Sequence, residues 1–216
     1  MTPLIDTTYG DTRILVAAIA DAETEFERQL PQSVLDESRQ RFRSDTRQKE
    51  WLAARILLCH ALRDPAAATA LAYYPTGRPY LPGMRTGISI SHSQGFVGLA
   101  LSQCPRVGLD VEIRTSRAMR ARQSFLSDKE RQAFRTDKAD IFTTLWSAKE
   151  AAYKWLDRPG TVVSQFSFHS FPLADEGQLH GFLHELPLLV HYRLYADFVV
   201  TWTDCPLPGE EVAPYR

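Results

Sequence analysis

In the run Val107-Gly108-Leu109-Asp110-Val111-Glu112-Ile113 every odd-numbered residue is apolar and every even-numbered one is glycine or an acid. A period of two belongs to an extended chain with one face covered. The run is therefore read as a strand whose polar face carries both Asp110 and Glu112, with backbone positions about 6.5 to 7 Å apart. That spacing lets two carboxylates converge on one hard cation such as Mg2+, although a merely solvated strand face has the same pattern. Farther on, residues 137–156 change to the spacing of a helix, so a core in this chain must pack helices on strands.

That helix carries a second cluster. Glu150 and Lys154 are four apart and share a face, with Trp146 one turn earlier; on an exposed helix such a pair contributes only roughly 0.2–0.5 kcal/mol. Lys149 lies about 100° around the helix, on the arc of Phe142, Tyr153 and Leu156, where a lysine must snorkel to water or meet an anion. Just ahead, Ser127 and Glu130 have the spacing of a capping box, which predicts the start of a short helix.

Before the strand the two habits alternate. Residues 14–20 are an apolar run suited to a buried strand, and 33–62 read as helical until Asp64-Pro65 stops them. An alanine-rich connector, 66–72, leads to a turn at Gly77-Arg78-Pro79. Residues 88–91 alternate as a strand and run into Ser91-His92-Ser93, whose hydroxyls and imidazole can serve a phosphate or act as a base, or simply satisfy a turn. Residues 96–101 and 107–113 are expected as strands lying close together, and 166–168, 188–192 and 197–202 as strands of the last quarter. The stretch 96–104 is similar to 198–205, a hint of duplication.

The 25 basic and 26 acidic side chains of the 216 residues leave a net charge of −1, so no global field favours nucleic acid or an anionic membrane. Charge acts locally, in Arg39, Arg41, Arg43, Arg47, Lys49 and Arg55, and again in Arg114, Arg117, Arg120 and Arg122. Three widely spaced cysteines, Cys59, Cys104 and Cys205, read as reduced thiols. The N-terminal stretch lacks the pattern of a signal peptide, and no apolar run approaches the roughly 18 residues of a membrane span. A cytoplasmic protein is expected. Phosphate-binding glycine loops, zinc-finger spacings and nucleophile elbows are absent from the sequence.

The order Gly77-Arg78-Pro79, then Ser91-His92, then Gly108 to Glu112, then Trp146-Ser147-Ala148-Lys149-Glu150-Ala151-Ala152-Tyr153-Lys154 resembles the 4′-phosphopantetheinyl transferase family, in the larger two-lobed class that primes surfactin synthetase. The resemblance covers roughly residues 39 to 168. It implies an α+β fold made by pseudo-twofold duplication, residues 1–105 and 106–216, with the active site in the cleft between the halves. It implies Asp110, Glu112 and Glu150 as Mg2+ ligands, with Asp110, Glu150 and Lys154 catalytic. Coenzyme A would be bound by Gly77, Arg78, Pro79, Ser91, His92, Lys149 and Lys154, and by a basic residue of the 39–55 segment, Arg55 or Arg41. Arg78 stands where the family usually has lysine, replacing a point charge with a planar fork.

The implied reaction moves phosphopantetheine from coenzyme A to a serine of an apo acyl or peptidyl carrier protein, and the arginine run from Arg114 to Arg122 with Met119 is expected to dock that partner. No nucleic-acid or membrane partner is expected, and a duplicated chain would act as a monomer. A Mg2+-dependent phosphohydrolase of nucleotides or coenzyme A and a non-enzymatic carrier or coenzyme A binding module are the alternatives.

Overall fold

The computed structural model describes residues 1–19 and 23–204. The chain divides into two units, Met1–Pro105 and Arg106–Arg216, each an antiparallel sheet with helices packed on it.

The first unit opens with a hairpin, β1 (Ile5–Tyr9) and β2 (Thr12–Ala18), followed by helices α1 (Glu23–Gln29), α2 (Gln32–Arg41), α3 (Asp45–Leu62) and α4 (Ala67–Ala70). A two-residue ribbon, β3 (Ala72–Tyr73) and β4 (Pro79–Tyr80), precedes β5 (Gly87–Ser93) and β6 (Phe96–Ser102). The main sheet runs β1-β2-β6-β5. The core forms between α3 and this sheet, where Leu57, Leu58, Leu15 and Leu99 are fully buried, each contributing roughly 1.5–3 kcal/mol.

Three expectations need revising here. The helical stretch 33–62 is two helices, because Phe42 and Ser44 are extended. The polar run around them has no apolar stripe to hold a helix against the core, whereas Phe42 packs edge-on against Trp51 at 6.1 Å and its carbonyl accepts from Gln48. The connector at 66–72 contains a short helix. Among the cysteines, Cys59 is a free thiol but Cys104 is disulfide-bonded; Cys205 lies outside the described residues.

The second unit starts at β7 (Gly108–Ile113) and continues through α5 (Arg117–Phe125), α6 (Asp128–Ala133) and α7 (Ala139–Leu156) to β8 (Phe166–Phe168), β9 (Glu176–Leu183), β10 (Leu186–Leu194) and β11 (Phe198–Thr203). Its sheet runs β7-β11-β10-β9-β8. β6 and β7 therefore belong to different sheets, although their closeness in sequence suggested neighbours. In each unit a strand leads into helices, one of them 18 residues long, and the last strand of the unit returns to pair with it: β6 with β2, β11 with β7. No described helix is long and apolar enough to cross a membrane.

Gly108 sets the spacing of the second unit. A Cβ built there would lie 1.9 Å from the Ala151 carbonyl oxygen and 2.8 Å from the Trp155 nitrogen, so α7 meets β7 with its backbone. Alternation then directs the even-numbered residues of β7, Asp110 and Glu112, toward the helix. Gly108→Ala forces the two elements apart. It should lower the unfolding free energy by about 1–3 kcal/mol, the usual cost of overpacking, read as a reduced urea midpoint; an unchanged midpoint would contradict this account of the contact.

Candidate active site

Asp110 is only 5% exposed although it sits on the face expected to be polar. Its Oδ1 accepts from Lys154 Nζ at 2.8 Å, and the same ammonium donates to the Leu109 carbonyl at 3.0 Å. Lys154 is thus pinned to the strand through Asp110. Burial pushes the Glu150 carboxyl up; the charge of Asp110 adds to the rise, Lys154 opposes it, and Glu112 adds to it again. The three carboxylates therefore feel one another across the strand and helix contact.

This donor set is chemically suited to a hard divalent cation, which favours carboxylate oxygens and would relieve the repulsion that raises Glu150. As they stand, however, no three His, Cys, Asp or Glu side chains among the described residues form a group that could hold a metal. Asp110 Oδ1 is instead engaged by Lys154.

Lys149 does not belong to this site. It is 0% exposed, and its Nζ donates to Glu130 Oε2 at 2.6 Å, to the Phe166 carbonyl at 2.6 Å and to the Phe125 carbonyl at 2.9 Å. An ammonium has three donors, so none remains for a phosphate, and the expectation that Lys149 binds coenzyme A is withdrawn. Burial pulls its pKa below the ordinary lysine value against the opposing pull of Glu130. Glu130 is 1% exposed. It caps α6 together with Ser127, as the spacing predicted, and its Oε1 accepts from the Phe168 amide at 2.9 Å.

Most of the other predicted residues lie in the first unit, around a pocket of about 450 Å³. Gly77, Pro79 and His92 line it, with Arg41 and Arg47 supplying positive charge. Gly77 adopts φ +90° in the turn that brings it there, closed by the Tyr74 amide donating to the Arg78 carbonyl at 2.9 Å. The Arg78 guanidinium lies over the Tyr74 ring, 4.7 Å from its centroid. Ser91 is buried. Its neighbours Ile90 and His92 both line the pocket, so strand alternation directs Ser91 to the opposite face of the sheet.

Arg55 is not on the pocket wall. It is 2% exposed and stacks 3.1 Å over the centre of the Trp51 ring, with burial lowering its pKa. Of the two arginines the sequence left open, Arg41 is the one at the pocket. Sequence reasoning missed Arg47, Glu50, Trp51 and Ala54 as wall residues, although their spacing of three, four and seven places them on one face of α3.

Residues 106–203 match the family model of the 4′-phosphopantetheinyl transferase superfamily, a span that takes in β7, α7 and the whole acid and lysine cluster. The chain belongs to that superfamily and is an enzyme of its kind. It is 31% identical to the 4′-phosphopantetheinyl transferase AcpT of Escherichia coli strain K12 over 169 residues, 73% of this chain and 84% of that protein. Its identity to AcpT of Escherichia coli O157:H7 is 30% over the same coverage.

Because Lys149 closes a buried ion pair, Lys149→Met leaves Glu130 charged and short of a partner. Unfolding free energy should fall by about 3–5 kcal/mol, measured by chemical denaturation. A loss of catalysis without any loss of stability would restore Lys149 to the active site.

Proposed function

We propose that this enzyme transfers 4′-phosphopantetheine from coenzyme A to a serine hydroxyl of an apo acyl or peptidyl carrier protein. The serine oxygen attacks the β-phosphorus, the bond from that phosphorus to the bridging oxygen breaks, and adenosine 3′,5′-bisphosphate leaves. The observation that carries this reading is the set of Glu112, Glu150 and Lys154 around buried Asp110, built on the strand and helix that the superfamily match covers.

Such transfer depends on positioning and on charge placed where the transition state needs it. Mg2+, held by Asp110, Glu112 and Glu150, would neutralise the pyrophosphate. Lys154 stabilises the departing phosphate, and its bond to the Leu109 carbonyl keeps it aimed while the negative charge grows. The serine proton goes to a general base, for which Glu150 of the same carboxylate set is the candidate. In the first unit Arg41, Arg47 and His92 hold coenzyme A phosphate oxygens beside the Gly77 turn.

The duplication and the two-lobed class are part of the same reading. The like connectivity of the two sheets supports them, as does the similarity of 96–104 to 198–205, which falls on the corresponding strands β6 and β11. In this reading the protein acts as a cytoplasmic monomer.

Asp110→Ala and Glu150→Ala should each abolish Mg2+-dependent transfer while circular dichroism stays native. The assay reads the intact mass of a carrier protein incubated with coenzyme A, with and without EDTA. Wild-type rates in either variant would remove the assignment, and free phosphopantetheine in place of a modified carrier would mark a hydrolase.

For carrier docking, Arg114 is already engaged by Asp140 at 2.7 and 3.1 Å and by the Tyr195 carbonyl at 2.7 Å, and Arg122 donates to the Met119 carbonyl. Arg117 and Arg120 are both exposed on α5, Arg120 with one nitrogen donating to Ser116 Oγ, and they meet an acidic carrier beside half-buried Met119. Reversing both charges should raise the carrier KM about two- to thirtyfold, the sum of two exposed pairs worth roughly 0.2–1 kcal/mol each, and flatten its salt dependence. A change in coenzyme A KM alone would place the carrier elsewhere.

A further inference from the structure

The carboxylate set of the second unit carries a cation of its own. Lys154 Nζ donates to Asp110 Oδ1 at 2.8 Å and to the Leu109 carbonyl at 3.0 Å. The Asp110 side chain is 8% exposed and that of Lys154 28%, so the lysine reaches solvent and the acid does not. Its charge also acts on Glu150, where it counters the repulsion of Asp110 and Glu112. No three acids among the described residues converge into a group that could hold a metal, and the ammonium sits on the buried one. An ammonium and a divalent ion seek the same carboxylate oxygen, and their like charges repel at close range.

Resting on the reading that this set holds Mg2+ against the pyrophosphate of coenzyme A, we propose that Lys154 is an internal counter-ion that occupies Asp110 until substrate arrives. Before then it neutralises the set and keeps a divalent ion from Oδ1. A phosphate oxygen of coenzyme A offers the ammonium a second anion. Lys154 moves from Oδ1 to that oxygen with the Leu109 carbonyl as its pivot, and Asp110 is released to the metal. Only hydrogen bonds are exchanged and no proton moves. Metal and coenzyme A therefore bind as a coupled pair, each raising the affinity for the other by the same factor.

The test is titration of the full chain with Mn2+, a paramagnetic stand-in for Mg2+, without coenzyme A, the free ion being read by electron paramagnetic resonance. Lys154→Met and Lys154→Gln should bind one Mn2+ at least about tenfold more tightly than the wild type, the effect of a competent state populated one-tenth of the time or less. Lys154→Arg keeps a cation at the same helix position and should stay as weak as the wild type. Saturation with coenzyme A should tighten Mn2+ binding more in the wild type than in Lys154→Met. Adding Asp110→Ala to Lys154→Met should abolish the tight site. Equal Mn2+ affinity in the wild type and the uncharged variants, or Lys154→Arg as tight as Lys154→Met, overturns the inference and leaves the metal reading intact. Tight binding that survives Asp110→Ala also overturns it. If no protein binds Mn2+ through Asp110 even with coenzyme A present, the inference and the metal reading both fall.

Discussion

Glu130 and Lys149 face each other at 2.6 Å with almost no exposure of either side chain, and the elements of the second unit meet at this pair. Lys149 reaches from α7 to the carbonyl that ends α5 and to the first residue of β8; Glu130 holds the start of α6 and the last residue of β8. Removing two charges from water is costly, and the cost is offset only when the geometry is good and the remaining donors and acceptors are used. Here all three ammonium donors and both carboxylate oxygens are engaged. The pair therefore fixes the rotation of α7 about its own axis, and the rotation of α7 decides where Glu150 and Lys154 point.

Consecutive residues thus serve different ends. Lys149 faces inward to an acid that organises the fold, and about 100° of helical turn carries Glu150 to the strand acids. Electrostatics separates them as well: Lys149 sits in a satisfied pair, whereas Glu150 sits among like charges with its carboxyl pushed up.

Much of this organisation could be read from local pattern. The alternation around Asp110, the capping box at Ser127 and the breaks at Asp64-Pro65 and Gly77 follow from backbone rules that act within a few residues, and the structure has a feature at each. What stayed hidden depends on long-range partners. That Lys149 must reach water or meet an anion was legible from its place on the helix, but Glu130, 19 residues away, could not be singled out as its partner. Arg55 reads in the sequence as one charge of a basic cluster, whereas its burial rests on the stacked Trp51 ring and on donation from Nη1 to the Trp51 carbonyl and the Tyr73 hydroxyl. The division between β6 and β7 was invisible because a short linker serves equally for strands that pair and strands that part. Strands β1 and β9 are rich in polar residues and gave no period strong enough to notice.

The backbone contact at Gly108 reaches beyond local packing. Where strand and helix are spaced by interleaved side chains, every enlargement or trimming of the core shifts the distance between them. In this unit the spacer is main chain against main chain, a stop that does not vary with the size of the residues around it. The separation of Asp110 and Glu150 is thereby insulated from the interior. Core substitutions can therefore retune the stability of the second unit while Asp110 and Glu150 keep their separation.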